Sequence, residues 1–233
     1  MIFDPFMFHP STLLLIPAII LAVFAQARVK SAYHKYARIG TRSHITGAEA
    51  ARQILHTAGI GQLPIEPIAG EMTDHYDPGK KVVRLSHDVY HGTSIAAVGI
   101  AAHEVGHALQ DANGYAPMHL RQAIYPVSRI GSTLAFPMIL IGIFFEFSGS
   151  GLLINLGIWL FTAAVAFTLI TLPVEFNASA RALKALAGGG YLSQDELAGV
   201  RKVLSAAALT YVAAAAMAIV QLIRLLLIAR GRD

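Results

Sequence analysis

Four long apolar stretches constrain this 233-residue chain more than any other feature of its sequence. Each is long enough to cross a bilayer as a helix of about 20 residues. Hydrophobic residues make up 55% of the chain and charged residues only 14%, whereas an ordinary soluble domain has about 25% charged residues. The sequence therefore predicts a mainly α-helical integral membrane protein with about four transmembrane helices, near residues 11–27, 130–147, 151–172 and 206–223.

The distribution of positive charge predicts how these spans are oriented. The first span is preceded by Asp4 and by no Lys or Arg, so it lacks the positive start of a secretory signal and is expected to remain as an anchor. Of the 18 Lys and Arg residues, 11 lie between the first two spans and 4 between the last two. Such an excess marks cytoplasmic loops, which places both polar regions on the cytoplasmic side of a cell membrane, inner or plasma. This topology would place Arg230 and Arg232 outside, against the same rule. Either the last segment, with Arg224, bends back along the interface, or the fourth helix does not fully cross the membrane.

A helix expected over residues 93–111 contains His103-Glu104-Val105-Gly106-His107, an H-E-x-x-H pattern. A spacing of four puts both imidazoles on one helix face, where both reach one Zn²⁺ at about 2.0–2.1 Å. Glu104 projects toward a metal-bound water and takes its proton as general base. The alternative is a buried helix whose histidines bond to neighbouring backbone, but burying three polar groups in an otherwise apolar helix is costly. The pattern therefore predicts His103 and His107 as zinc ligands and Glu104 as the catalytic residue.

A catalytic zinc needs a third protein ligand. Asn113 stands where metzincins carry a third histidine, and Asp111 lies too far along the helix axis to share the ion with His103. Glu175, near the cytoplasmic end of the third span, is the best candidate; the alternative is a carboxylate that interacts with a helix dipole. Several other side chains are candidates for stabilising an oxyanion: His75, His87, His91, His119 and Tyr211.

The segments that carry these residues resemble the YugP-type membrane zinc metallopeptidases of bacteria, in order over nearly the whole chain: residues 74–86, 101–110, 175–182 and 207–214. Those proteins are similar to HtpX-like gluzincins, in which a transmembrane hairpin separates H-E-x-x-H from a glutamate in an E-x-x-A-D motif. The resemblance implies a zincin-like catalytic portion with Glu175 as third zinc ligand. It also implies that the strand before the metal helix is a sheet edge that pairs with an extended peptide substrate. Ser179 occupies the place of the relatives' aspartate, which would support a histidine ligand.

The remaining patterns organise the chain around this site. Capping boxes at 46–49 and 193–196 predict helix starts, the second opening a short helix that leads toward the fourth span. Short strands are expected at 63–68 and 80–85, separated by a turn at 74–79, which gives a small β-sheet. The predicted parts are an N-terminal transmembrane anchor (1–27), a cytoplasmic catalytic portion with the HEVGH helix (28–129), a transmembrane hairpin (130–172), a cytoplasmic helical segment with the third ligand (173–203), and a C-terminal transmembrane helix and tail (204–233).

The predicted function is a membrane-embedded zinc-dependent endopeptidase that cleaves membrane or membrane-associated proteins on the cytoplasmic side by metal-activated water. The alternative is a catalytically weak or inactive zinc-stabilised membrane scaffold or regulator. Its expected partners are a protein or peptide substrate and the lipid bilayer; no nucleic-acid motif is visible. A transporter would need charged or polar groups deep within several spans, where Asn155, Gln221 and scattered hydroxyls are the main polar side chains. Zero cysteines exclude thiolate metal sites.

Overall fold

The computed structural model describes residues 10–144 and 151–230 of the chain. Four helical segments in this part are long and apolar enough to span a membrane. A short 3₁₀ turn, Pro10–Leu14, leads into α1 (Leu15–Tyr36), and the other three are α5 (Ala116–Phe144), α6 (Leu152–Gly188) and α7 (Gln194–Arg230). The prediction of a mainly helical membrane protein with four spanning helices and a small sheet is confirmed.

All four long helices extend beyond the predicted spans, and the helix expected past the third span continues from it. The third span and the helix after it form one helix, α6, with Pro173 inside it. The short helix expected after Ser193 is likewise the start of α7, so the prediction of a separate helix is wrong. The described part of α7 contains no proline, and its alanine-rich middle favours an unbroken helix. At 37 residues each, α6 and α7 are about 55 Å long, well beyond a hydrocarbon core of about 30 Å.

The ends of the spans also differ from the prediction. Helix α5 begins at Ala116 and continues through Pro126, whereas the second span was expected to start near residue 130. Helix α7 runs through Arg224 to Arg230, so its described residues show no bend back along the interface. The predicted turn at 148–150, the stretch before Pro10 and Arg232 lie outside the described residues.

The chain divides into two compact units. In the first, described residues 10–24, 120–144, 151–172 and 211–230 contribute the most apolar helical segments. Its buried hydrophobic cluster comprises Ile139, Ile154, Ile158 and Leu225. This unit is built from long helices whose outward side chains are large and apolar, as expected of helices in contact with lipid.

The second unit contains residues 25–119 and 173–210. Besides parts of the long helices, it holds three shorter ones and three strands: α2 (Gly47–Thr57), β1 (Ile65–Ile68), β2 (His75–Asp77), β3 (Val82–Ser86), α3 (His87–His91) and α4 (Ile95–Ala112). Both predicted capping boxes are present: Thr46 and Glu49 bond reciprocally at α2, and Ser193 and Glu196 do so at α7.

The sheet has the order β1-β3-β2, with β1 parallel and β2 antiparallel to β3. The strand before the metal helix, β3, is therefore central, and the prediction that it is a sheet edge is wrong. Four of its five residues are buried, which suits a strand covered on both sides. The stretch at 74–79, expected only as a turn, contains the edge strand β2. The other edge, β1, carries Pro67, which has no backbone N–H for pairing.

Candidate metal centre

Helix α4 carries the H-E-x-x-H residues in the middle of the second unit. Ser94 caps its start, because the Ser94 hydroxyl accepts a hydrogen bond from the backbone N–H of Ala97. Most of α4 is buried, and Ala101, Ala102 and Val105 belong to the hydrophobic core. The centroids of the His103 and His107 rings lie 4.8 Å apart. The helix thus presents two adjacent imidazoles in a site largely shielded from water.

Helix α6 brings Glu175 to these two imidazoles. The Oε2 atom of Glu175 lies 3.2 Å from His103 Nε2 and 3.5 Å from His107 Nε2. The potential ligand atoms of all three side chains lie within 4.8 Å of one another. Ligand atoms about 2.0–2.1 Å from a tetrahedral Zn²⁺ are separated by about 3.3 Å, so this donor set fits zinc. The sequence alone gave three residues for this site, and the structure brings all three together.

A glycine allows α4 and α6 to approach this closely. A Cβ atom added to Gly106 would lie 2.4 Å from the backbone carbonyl oxygen of Ala178 on α6. That separation is far below a van der Waals contact, so any side chain at Gly106 would push α6 away. Gly106 lies one residue before His107, and Ala178 lies one helical turn after Glu175. The close contact therefore sets the distance between the histidines and the carboxylate.

The second ring nitrogen of each histidine meets a neutral partner. The hydroxyl of Ser179 lies 3.2 Å from His103 Nδ1, and the amide oxygen of Gln110 lies 3.0 Å from His107 Nδ1. Such partners orient metal-binding imidazoles and leave the other ring nitrogen directed at the ion. Ser179, in the position of the relatives' aspartate, thus still contacts the histidine. Gln110 was missed by the sequence reasoning, although its i, i+3 spacing from His107 could have suggested it.

Glu104 points away from α6 and toward the edge strand β2. Its Oε2 atom accepts a hydrogen bond of 3.0 Å from the backbone N–H of Tyr76. Burial raises the pKa of Glu104 to about 7; His103 opposes this shift, and the nearby carboxylates of Glu175 and Asp74 add to it. A carboxylate whose pKa lies near neutrality is suited to accept and release a proton.

Tyr76 makes a second hydrogen bond to α4, two helical turns beyond Glu104. The Tyr76 hydroxyl donates a hydrogen bond of 2.6 Å to Oδ2 of Asp111. Lys81 donates to the same carboxylate oxygen. Asp111 was excluded as a zinc ligand from its position on the helix, and here its carboxylate instead joins α4 to the sheet. No local sequence signal pointed to Tyr76.

Several of the other candidate side chains have partners outside this cluster. His75 Nδ1 lies 2.8 Å from the carbonyl oxygen of Thr73, and the rings of His87 and His91 contact each other on α3. Asn113 donates to the Leu109 carbonyl at the end of α4. His119 helps to lower the pKa of Asp111, and Tyr211 belongs to the first unit.

Comparisons with known proteins agree with this geometry. A family model described as "Putative neutral zinc metallopeptidase" matches residues 11–230. The "Putative membrane protease YugP" of Bacillus subtilis (strain 168) is 50% identical over 221 residues, which cover 94% of this chain and 97% of that protein. No solved structure gives a significant match.

Proposed function

The chain belongs to the family described as "Putative neutral zinc metallopeptidase", and we propose that it is a membrane-embedded zinc endopeptidase. In this proposal His103, His107 and Glu175 hold the zinc ion and Glu104 is the catalytic residue. The observation that carries the proposal is the clustering of two imidazole nitrogens and one carboxylate oxygen within 4.8 Å, directly beside a buried glutamate with a pKa of about 7.

The residues around the cluster divide the chemistry between them. A zinc ion held by this donor set supplies Lewis acidity, which lowers the pKa of water and polarises a carbonyl. Glu104 takes the proton from the attacking water and delivers it to the leaving amine. The Tyr76 N–H holds Glu104 Oε2, so we assign the proton to the other carboxylate oxygen, Oε1. Ser179 and Gln110 keep the two imidazoles turned toward Glu175.

The edge strand β2 is the proposed docking site for substrate. Val83 donates to Pro64 on the β1 side of the sheet, so the antiparallel register leaves the backbone N–H and C=O of Tyr76 directed away from β3. The Tyr76 N–H reaches Glu104, which puts this outer edge beside the catalytic carboxylate. Because the Tyr76 N–H is bonded to Glu104, an extended peptide would pair with β2 through the Tyr76 carbonyl, a backbone contact largely independent of the peptide's side chains. We therefore propose protein substrates, and among them membrane or membrane-associated proteins.

Hydrolysis of casein by the full-length protein in detergent tests the activity. We expect cleavage that a zinc chelator abolishes and added Zn²⁺ restores. Glu104→Gln should retain zinc and lose about 10²–10⁴-fold in turnover, the usual contribution of a general base, while Glu71→Gln, at an exposed position, should match the parent. Zinc binding without hydrolysis would identify the chain as a zinc-stabilised scaffold or regulator.

We also propose that the site faces the cytoplasm, on the basis of the Lys and Arg distribution. Because the chain has no cysteine, one cysteine introduced at the exposed position Gln53 gives a specific label. An impermeant maleimide should modify Gln53→Cys only after the cells are permeabilised. Labelling in intact cells would place the second unit outside.

A further inference from the structure

Four side chains form a line of hydrogen bonds that connects α4 to the guanidinium of Arg181 on α6: His107, Gln110, Asn177 and Arg181. Gln110 Oε1 lies 3.0 Å from His107 Nδ1, and Gln110 Nε2 donates to Asn177 Oδ1 at 3.0 Å. The same Asn177 oxygen accepts a hydrogen bond of 2.7 Å from Arg181 Nε. Gln110 also donates to the backbone carbonyl of Val174 at 2.7 Å, one residue before Glu175. Gln110 is fully buried, whereas Asn177 and Arg181 are half-buried.

The direction of every hydrogen bond in this line is set by Arg181 at its end and by the Val174 carbonyl. A guanidinium can only donate, so Asn177 must present its oxygen to Arg181. That oxygen and the Val174 carbonyl can only accept, so Gln110 must turn its NH₂ group toward α6. The Gln110 oxygen then faces His107, which must carry its proton on Nδ1. The lone pair of His107 is thereby left on Nε2, the nitrogen 3.5 Å from Glu175.

We propose that Arg181 is a positioning residue that, through Asn177 and Gln110, fixes the tautomer of His107 required for zinc binding. This inference rests on the proposed function, because it takes the three-residue cluster as the zinc site. Without the donor at position 181, Asn177 can rotate by 180° and turn its NH₂ group toward the NH₂ group of Gln110. This unfavourable pairing opposes the bond of Gln110 to the Val174 carbonyl, and where Gln110 rotates in response, His107 can place its proton on Nε2. A protonated Nε2 cannot coordinate a metal, so part of the population would lose the site.

The position of Arg181 is itself fixed by a second contact. Its guanidinium carbon lies 5.8 Å from the centre of the Tyr115 ring, within the range of a cation–π interaction. The Tyr115 hydroxyl donates to the carbonyl of Pro173 at 3.5 Å. The line of side chains therefore starts from a guanidinium whose position is fixed by Tyr115.

The test is the zinc dissociation constant of the full-length protein in detergent, measured by competition with a chromophoric chelator. Arg181→Met and Asn177→Leu should each weaken binding by about 10- to 100-fold, as changes behind a metal ligand commonly do. Arg201→Met, at an exposed arginine of the same unit, should have the affinity of the parent. Asn177→Asp keeps an acceptor oxygen for both Arg181 and Gln110, so it should retain parental affinity.

Two further readouts separate positioning from simple loss of structure. In the Gln110→Ala background the line is already broken, so adding Arg181→Met should weaken zinc binding no further. The visible spectrum of the Co²⁺-substituted protein should change in Arg181→Met and stay parental in Asn177→Asp. If Arg181→Met binds zinc as tightly as Arg201→Met, or if Asn177→Asp falls as far as Asn177→Leu, the inference is overturned. If the parent itself binds no zinc, the proposed function fails first.

Discussion

Helix α4 makes two polar contacts with different partners, and the comparison between them explains how this site is built. Each residue advances about 100° around a helix, so His103, Gly106, His107 and Gln110 form one stripe, which faces α6. A second stripe, about a quarter turn away, holds Glu104 and Asp111, which both bond to Tyr76 on β2. In the proposed mechanism the first contact gathers the metal donors and the second holds the general base. Neighbouring stripes of one helix thus position two separate functions.

The contacts differ in their chemistry as well as in their residues. At α6 a close backbone approach at Gly106 brings the donors together, and neutral groups orient the imidazoles. At β2 one tyrosine is held by two carboxylates of α4, and Lys81 balances the charge of one of them. We therefore expect that damage at α6 removes zinc, whereas damage at β2 spares zinc and impairs turnover.

The largest effect is expected from Glu175→Ala, which removes the only anionic donor of the cluster. Metal analysis of the purified variant should show almost complete loss of zinc, with affinity at least about 100-fold below the parent, because two imidazoles alone make an incomplete site. Glu71→Ala, at an exposed glutamate, serves as control. Unchanged zinc content in Glu175→Ala would show that α6 contributes no ligand to the metal site.

Gly106→Ala should come next, because its methyl group would collide with the Ala178 carbonyl oxygen. Separation of α4 from α6 should lower both zinc occupancy and the free energy of unfolding, the latter by about 1–3 kcal/mol as for other overpacked sites. Gly188→Ala is the matched control, since nothing lies within 4 Å of its added Cβ. Zinc titration and thermal unfolding check both variants; parental values for Gly106→Ala would contradict the close approach.

Tyr76→Phe removes the hydrogen bond to Asp111 from the second contact, keeps the backbone bond to Glu104, and leaves the first contact intact. Loss of a buried hydrogen bond to a charged group costs about 1.5–3 kcal/mol, and a loosened β2 should raise KM for casein and lower kcat by a smaller factor. Zinc affinity should be parental. Tyr90→Phe removes an exposed hydroxyl that pairs with Arg52 and should change neither constant. A loss of zinc in Tyr76→Phe would show that the two contacts are not separable.

The smallest effect is expected from Asp111→Asn, which should change how the thermal stability of the protein depends on pH. Desolvation pushes the pKa of Asp111 up, but hydrogen bonds from Lys81 and Tyr76 outweigh it and hold the pKa below the usual 3.8. A lowered folded-state pKa contributes stability above the unfolded value, and that stability is lost as the pH falls through the folded value. The thermal midpoint of Asp111→Asn should therefore lie below that of the parent at pH 6, with the gap narrowing below about pH 4. Asp88→Asn, at an exposed site, should show no such pH dependence, and a constant gap for Asp111→Asn would contradict the interpretation.

Much of the fold follows from patterns within single segments of the chain. Apolar length identifies the four spans, and Ser or Thr followed by Glu three residues later marks the starts of α2 and α7. The length of α7 was harder to predict, because the helix that starts after Ser193 continues without a break through the fourth span. In α6, Pro173 is accommodated within the helix. Strand β2 was missed because its three residues lie between turn-forming neighbours, and pairing with β3 decides its conformation.

The sequence by itself determined the metal chemistry of α4, because i, i+4 spacing puts His103 and His107 on one face of any helix. It also determined that much of the chain is membrane helix, since hydropathy depends on composition alone. Only the tertiary structure decided which groups complete the site: Glu175 lies 72 residues from His103, and Tyr76 lies 28 residues before Glu104. It also decided that β3 is central and that β2 is the edge beside Glu104. These are contacts between distant segments, whose geometry depends on how helices and strands pack and not on local spacing.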